Sequence, residues 1–453
     1  MLSFIKRIVD KLLPNRELFK NFLTLFTGAT LGQLIPFLAG PVLARLYSPE
    51  DFGLYALLSS TAGLASIVAT GSYEFAILTS DDDDEANSLS LLSSLLSFIF
   101  SIISAVIIIV VLLLVKPWDE NFLGWVWLLA PVFIFLQGVV NSSNYRLNRE
   151  KRYGIMARGR LVRAFVMTGV QLLLGFLRLP WGLYPGMVTG HFTTAGYQFS
   201  KVKSSYAKAI KAFSLNNIKS LARKYYRFPS FLLPAQLVNE FSVQVPVYLL
   251  KSFFTTAVVG LYALPQKFLN VPVMLIGNSL GQVFFQKAVE QKDDKEALGA
   301  TTLSLFRFLF RIGVVPFSVM LVFGDILFAF VFGAEWHQSG LFAQMLSPWL
   351  LFVLAGSPIS KLFTVLDRQK QSLWLNIILL TLRTSGLVVG ALIFRTENMA
   401  VLLFSLTGFF YWAFLTFFIL RMAGVRLLPV VFETIITWGL VLLPMLLVRW
   451  YFF

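Results

Sequence analysis

The chain has 453 residues, of which 57% are hydrophobic and only 13% are charged, and its formal net charge is +15. So few charged residues cannot cover the surface of a water-soluble protein of this size, which excludes a soluble globular fold. The absence of cysteine excludes disulfides and thiolate metal sites. His191 and His337 do not have the spacing of metal ligands, so we expect neither a metal nor a cofactor.

Residues 1–20 form a basic N-terminal segment. Its apolar residues, including Phe4, Ile8 and Leu12, recur at helical spacing between lysines and arginines. This pattern is typical of an amphipathic helix that lies on the cytoplasmic surface of a membrane, in contact with its lipids.

Hydrophobic runs of membrane-crossing length occupy most of the remaining chain. A helix of about 20 apolar residues crosses the roughly 30 Å of hydrocarbon in a bilayer. The pattern therefore predicts an all-α polytopic membrane protein. The thirteen runs are 22–45, 52–78, 88–115, 121–146, 156–178, 182–200, 228–250, 257–284, 299–332, 340–363, 371–394, 398–420 and 428–448.

Lysine and arginine are distributed unevenly between the loops. The loops after even-numbered runs are basic or strongly charged, above all the segment 201–227, whereas the loops after odd-numbered runs are short and poor in lysine and arginine. The positive-inside rule then places the N-terminus in the cytoplasm. The same rule accounts for most of the net charge, so we expect no nucleic-acid partner.

An internal repeat divides the chain. Residues 53–57 and residues 260–264 share the sequence Gly-Leu-Tyr-Ala-Leu, and each opens an apolar run that ends in an acidic loop. A turn, span and loop repeated in the same order indicate duplicated halves. We expect an N-lobe at 21–200 with spans 1–6, a cytoplasmic linker helix at 201–227 and a C-lobe at 228–422 with spans 7–12. Residues 423–453 form either an added membrane-spanning helix or an interfacial segment.

Two blocks of sequence resemble bacterial polysaccharide flippases of the multidrug/oligosaccharidyl-lipid/polysaccharide (MOP) exporter superfamily. The first block contains Ala44-Arg45-Leu46-Tyr47-Ser48-Pro49-Glu50-Asp51-Phe52-Gly53-Leu54-Tyr55 and, after it, Tyr73-Glu74. The second contains Phe332-Gly333-Ala334-Glu335-Trp336, Leu346-Ser347-Pro348-Trp349 and Leu366-Asp367-Arg368-Gln369-Lys370.

This resemblance implies a fold and a function. The fold is two pseudo-symmetric six-helix bundles around a central V-shaped cavity. The function is alternating-access transfer of an undecaprenyl-pyrophosphate-linked oligosaccharide, such as an O-antigen unit, from the inner to the outer leaflet of the bacterial cytoplasmic membrane. Such a protein is a transporter and not an enzyme. Its expected partners are H⁺ or Na⁺ as coupling ion, a polysaccharide polymerase and a chain-length regulator.

An anionic headgroup requires cations along its path, and charge inside a membrane is costly unless it is paired or faces a wet cavity. Arg307 and Arg311 share a helix face, and either they bind the headgroup in the cavity or they lie among the inner lipid headgroups. For Arg383 the alternative to a cavity role is an ion pair, and for Arg45 it is an anchor at the membrane surface. The substrate-binding candidates are Lys267, Arg307, Arg311, Arg383, Arg163 and Arg45.

Carboxylates within the spans are candidates for ion coupling, because a buried carboxylate can exchange protons or bind Na⁺. They are Glu240, Glu74 and Asp325, and for Glu74 pairing with a basic loop is the alternative. Polar side chains inside the runs also indicate a hydrated interior that can bond sugar hydroxyls. The predicted lining residues are Gln33, Asn141, Asn144, Gln266 and Asn270.

Two other functions remain open at this point. A multidrug or cation antiporter of the same superfamily predicts a cavity dominated by acids and aromatic residues. A membrane-bound polysaccharide polymerase predicts a large extramembrane loop, whereas the outer loops here are only a few residues long.

Overall fold

The computed structural model describes residues 16–115 and 123–452, and within these ranges all regular structure is helical. The predicted N-terminal segment 1–20 lies almost entirely outside the described residues. Thirteen described helices have 20 or more residues. They are α1 Arg16–Leu46, α2 Pro49–Ala69, α3 Asp83–Val115, α4 Leu129–Arg149, α5 Tyr153–Phe176, α6 Leu183–Lys211, α7 Leu233–Phe253, α8 Thr256–Glu290, α9 Lys295–Phe332, α10 His337–Gly356, α11 Gln369–Val389, α12 Glu397–Met422 and α13 Leu427–Phe452.

Each predicted run overlaps one of these helices, so the all-α membrane fold class is confirmed. Among the described residues, nine helices are long and apolar enough to cross a membrane by length and composition. Of the other four, α1 is represented only by the shorter apolar stretch Gly32–Leu46, and α4, α6 and α7 are not among the candidates. They carry polar side chains, such as Asn144 and Gln198, that hydrogen-bond each other inside the protein instead of facing lipid. Polar side chains that bond each other between helices lower the mean hydropathy of those helices, although the side chains themselves do not face hydrocarbon.

The chain forms two compact units, which we call the N-terminal unit (Glu17–Tyr248) and the C-terminal unit (from Leu249 onward). The boundary between them lies inside α7. The division into lobes at 21–200 and 228–422, with a linker and an added C-terminal segment, stays a prediction.

The two repeats begin with the same capping chemistry. Ser48 caps α2, where its hydroxyl accepts the amide N–H of Asp51 and the Asp51 carboxylate accepts the Ser48 N–H. Thr255 caps α8 and likewise accepts the N–H of the residue three positions on. Such caps satisfy helix N–H groups that have no partner within the helix. In each repeat the tyrosine of the shared pentapeptide therefore follows its cap by the same number of residues, two turns into the helix.

Within the N-terminal unit, an amphipathic linker helix, Leu215–Lys224, packs its apolar face against α3 and the segment before it. Leu221 and Tyr225 are buried in this contact. At its end, the Lys224 ammonium lies 2.7 Å from an Asp81 carboxylate oxygen and also binds Glu85. Both apolar packing and an ion pair therefore hold the linker helix.

Within the C-terminal unit, α13 lies along α9 and runs parallel to it. Arg307 and Arg311 on α9 bind Glu433 near the start of α13, at 2.6 and 2.9 Å. Further along, the indole of Trp438 donates to Ser318, and Arg449 binds Asp325 at 2.8 Å. Contacts that advance along both helices together require the same direction. The 428–448 run is thus part of a helix that follows α9 and is itself long and apolar enough to span a membrane.

We expect Glu433→Gln to loosen α13. The substitution removes the carboxylate shared by Arg307 and Arg311, and hydrogen bonds to a charged group contribute about 1.5–3 kcal/mol. The thermal unfolding midpoint in detergent should fall, and amide hydrogen exchange in α13 should quicken. Glu290→Gln is the matched control, since Glu290 is exposed and makes no ion pair with a described residue. Equal unfolding midpoints for the two variants would contradict the prediction that the ion pairs of Glu433 stabilise α13.

We also expect the linker helix to loosen in acid. The hydrogen bond and the charge of Lys224 hold the pKa of Asp81 below its usual range. A carboxyl whose pKa falls on folding stabilises above its unfolded pKa, and that stability is lost as the pH falls through the folded pKa. Linker-helix amides, corrected for intrinsic exchange rates, should therefore open more readily below about pH 4.

Lys224→Gln should abolish this pH dependence by loosening the helix at neutral pH as well. Lys219→Gln, an exposed lysine on the same helix, should preserve it. If Lys224→Gln keeps the wild-type pH dependence, the Asp81–Lys224 pair does not hold the linker helix.

Candidate functional site

The C-terminal unit contains an arginine held between aromatic rings. Arg383 projects from α11, and its guanidinium carbon lies 4.3 Å from the ring centre of Trp349 on α10. It lies 4.5 Å from the ring centre of Phe404 on α12. The two rings meet edge to face, with centroids 5.4 Å apart. Contact with aromatic faces stabilises a cation electrostatically while leaving its N–H groups available to another partner.

Three hydrogen-bond donors in this cluster have no acceptor among the described residues. They are the Nε–H of Arg383, the indole N–H of Trp349 and the hydroxyl of Tyr262. Tyr262 is fully buried, stacks edge to face on Phe404 and lies within electrostatic range of Arg383. Buried polar groups in native proteins are almost always hydrogen-bonded, so this arrangement calls for an acceptor from outside. We name these four residues the Arg383 cluster.

The N-terminal unit contains a second arginine without a carboxylate. Arg163 on α5 is half-buried and forms no ion pair with any described residue. Its guanidinium interacts electrostatically with Tyr55 on α2, and one N–H group lies 3.4 Å from Nε2 of His191 on α6. We name Arg163, Tyr55 and His191 the Arg163 cluster.

Glycines on α6 bring His191 against α5. A Cβ atom at Gly190 would lie 2.8 Å from Cβ of Met167, and one at Gly186 would lie 2.4 Å from Cγ of Gln171. Both distances are shorter than atoms of this kind tolerate, so the two helices approach this closely only because glycine stands there. Small residues serve the same purpose at helix contacts in membranes generally.

The two clusters are built from equivalent parts of the repeat. Tyr55 and Tyr262 belong to the shared pentapeptide, and Arg163 and Arg383 belong to the fifth long helix of each predicted half. Both arginines are among the candidates predicted from the sequence, whereas Tyr55, Tyr262, Trp349 and His191 are not. Only the pentapeptide itself carried a signal for the tyrosines, because no local pattern tells which aromatic residue meets a distant arginine.

The other predicted cations are placed differently. Lys267 is exposed on α8 and makes no ion pair with a described residue, and Arg45 is exposed near the end of α1. Arg307 and Arg311 bind Glu433, a partner that the sequence analysis did not consider. Their contact with a carboxylate offsets charge that would otherwise be available to a headgroup.

The predicted coupling carboxylates also separate into different settings. Asp325 is buried and accepts hydrogen bonds from Arg449 and Gln344, which occupy it structurally. Glu240 is half-buried and accepts from Gln244 at 2.8 Å. Glu74 is buried, and its Oε2 has no hydrogen-bond partner among the described residues.

The predicted polar lining residues make contacts of different kinds. Asn141 accepts from Gln137, and Asn144 accepts from Gln198, both at 2.9 Å within the N-terminal unit. Asn270 donates to the backbone carbonyl of Gln266 on the same helix, and Gln33 is exposed. Within the described part of the chain, no group of three or more acidic or histidine side chains could hold a metal ion.

Solved structures with the same fold are transporters. The lipid II flippase MurJ in an inward closed conformation matches with a TM-score of 0.67 and 14% identity, over 95% of this chain and 93% of that one. An inward-facing multidrug resistance MATE transporter of the MOP superfamily matches with a TM-score of 0.61 and 14% identity, over 89% of this chain and 94% of that one. A MOP transporter from Pyrococcus furiosus, described as having a binding pocket of reversed polarity, matches with a TM-score of 0.59 and 14% identity. The match covers 89% of this chain and 96% of that one.

Fold and helix content thus define a multi-pass membrane protein with the architecture of MOP transporters. Residues 42–340 match the family described as polysaccharide biosynthesis protein, and the chain belongs to that family. The family resemblance recognised in the sequence is confirmed. No curated protein is similar enough in sequence to match the chain.

We expect Arg383 and Arg449 to differ in what they contribute to stability. Arg449→Met leaves the buried Asp325 carboxylate without its cation, which costs about 3–5 kcal/mol. Arg383→Met removes a charge that has no carboxylate and keeps an apolar side chain among the rings, so stability should be unchanged or higher. Thermal unfolding in detergent measures both. An equally large loss for Arg383→Met would mean that Arg383 is a structural residue.

Proposed function

We propose that this protein moves an undecaprenyl-pyrophosphate-linked oligosaccharide, such as an O-antigen or other surface-polysaccharide unit, from the inner to the outer leaflet of the bacterial cytoplasmic membrane by alternating access. The observation that carries the proposal is the Arg383 cluster, in which the Nε–H of a half-buried arginine and two buried neutral donors have no acceptor among the described residues. Membership of the polysaccharide biosynthesis family supports the saccharide.

The chemistry of the Arg383 cluster favours an anionic ligand. A guanidinium presents N–H groups in a planar fork that matches phosphate oxygens, and hydrogen bonds to ionised groups are the strong ones. The aromatic rings keep the arginine in place without neutralising it. A pyrophosphate would supply the missing acceptors, and its charge would offset the cost of a cation inside the membrane.

The Arg163 cluster provides a second unpaired cation in the N-terminal unit. We infer that Arg163 and Arg383 each bind the headgroup during the transport cycle, and that Lys267, exposed on α8, adds a third positive charge along the path.

A multidrug or cation antiporter is the second candidate, because MATE transporters share the fold. A cation requires carboxylates that are available to it. Asp325 is bound by Arg449, which leaves Glu74 and Glu240 as the predicted carboxylates without a cationic partner among the described residues. These two are also the remaining coupling candidates for H⁺ or Na⁺. The unpaired arginines favour the flippase.

The test is flipping of a fluorescent undecaprenyl-pyrophosphate sugar in liposomes. Arg383→Gln and Arg163→Gln should each lower the flipping rate by about 10- to 100-fold, since each removes charged hydrogen bonds of about 1.5–3 kcal/mol to the headgroup. Arg421→Gln, which changes an exposed arginine outside both clusters, is the matched control and should flip at the wild-type rate.

Wild-type flipping by both cluster variants would move the headgroup site elsewhere. If the wild-type protein flips no lipid but exports cationic dyes, and Glu74→Gln or Glu240→Gln abolishes that export, the antiporter is the correct function.

A further inference from the structure

The contact between Arg163 and His191 defines the protonation state of the histidine. An arginine can only donate hydrogen bonds, so Nε2 of His191, at 3.4 Å from the guanidinium, must present a lone pair. The proton of the neutral ring is then on Nδ1, which lies 2.8 Å from the backbone carbonyl of Met187 and donates to it. Both ring nitrogens are therefore satisfied, and the ring is neutral.

The surroundings of His191 supply no negative charge to favour a second proton. Arg163, with Arg160 next to it, faces the ring from α5, and Phe133 on α4 packs against the ring edge to face at 4.7 Å. The other nearby titratable groups are the hydroxyl of Tyr55 on α2 and, on the same helix as His191, the hydroxyl of Tyr184. No described carboxylate forms an ion pair with either Arg163 or His191. A protonated His191 would thus place two cations in contact.

An anion bound at Arg163 changes this balance. The guanidinium would turn its N–H groups toward the phosphate oxygens, which releases Nε2 from its hydrogen bond. The negative charge of the phosphate would then offset a second positive charge beside it. Both changes favour a proton on Nε2, and a protonated imidazole can donate that N–H to an oxygen of the same headgroup.

We propose that His191 is a proton-binding site coupled to headgroup binding at Arg163, so that the protein takes up a proton from water when the pyrophosphate binds. This inference rests on the proposed function. The neutral imidazole becomes an imidazolium with its new N–H bond at Nε2, and no other bond forms or breaks. The proton reduces the net negative charge that the headgroup brings into the membrane interior.

Thermodynamic linkage predicts the direction in which headgroup binding depends on pH. If the bound state holds one more proton than the free state, the headgroup binds more tightly as the pH falls. A carboxylate that is protonated when the headgroup binds would give the same sign, so the comparison of His191 variants, and not the pH dependence alone, assigns the proton.

The first test measures proton uptake on binding of a pyrophosphate-headed lipid to the protein in nanodiscs. Titrations by calorimetry in buffers with different ionisation enthalpies give the number of protons taken up per bound lipid. His191→Gln keeps an amide acceptor for Arg163 but cannot take a proton at this position. It should lower the uptake near pH 6 by about one proton per headgroup, since one imidazole carries the difference.

The chain provides its own control, because His337 is the second of two histidines and is exposed in the C-terminal unit. His337→Gln should show the wild-type proton uptake. Protons exchanged by the lipid itself are common to all three proteins and cancel in the comparison. If His191→Gln binds the lipid with the wild-type proton uptake, the proposal is overturned.

A second measurement does not depend on a folded His191 variant. In the His337→Gln protein, the imidazole NMR signals report His191 alone. We expect the neutral ring with a proton on Nδ1 without lipid, and the imidazolium after the pyrophosphate lipid is added at pH 6. A ring that stays neutral with the lipid bound overturns the proposal. Absence of lipid binding by wild-type protein at any pH instead overturns the proposed function, and the coupling with it.

Discussion

The structure depends on how arginine is accommodated among apolar helices. A guanidinium inside a hydrocarbon layer is costly unless a carboxylate, an aromatic surface or a bound anion accompanies it. Where a carboxylate accompanies it, as for Arg449 with Asp325, the arginine holds one helix on another. Where none does, as for Arg163 and Arg383, the neighbours are aromatic rings or a histidine, and the charge is available to a ligand. The partner of each arginine therefore separates those that join helices from those that we propose to bind the headgroup.

The duplicated framework supports two sites that differ in chemistry. Each repeat places a tyrosine two turns after a serine or threonine cap, and each brings that tyrosine near an arginine. In the C-terminal unit, Trp349 and Phe404 hold the arginine between rings. In the N-terminal unit, His191 accepts from the arginine and can change its charge. The two units thus pair similar residues, and only in the N-terminal unit does the described arginine contact a histidine.

The repeat also extends to the loops, with charges exchanged. Asp83, the first residue of α3, binds Arg146 and Arg149 at the end of α4. At the corresponding place in the second half, Lys292 before α9 binds Asp367 after α10, at 2.7 Å. The same pair of loops is held together in both units, once with the acid on the first loop and once with the acid on the second. An ion pair can be reversed in this way because attraction depends only on opposite sign.

The sequence alone determined the long helices of the described residues and the family, because an apolar run of membrane-crossing length is a local pattern. It also selected Arg163 and Arg383, since charge within an apolar run is visible without a structure. Only the tertiary structure decided which arginines are paired. Glu433 and Asp325 lie far along the chain from Arg311 and Arg449, and His191 lies a whole helix away from Arg163. Helix packing brings these residues together, and no spacing within a single helix encodes which distant side chain will meet a given charge.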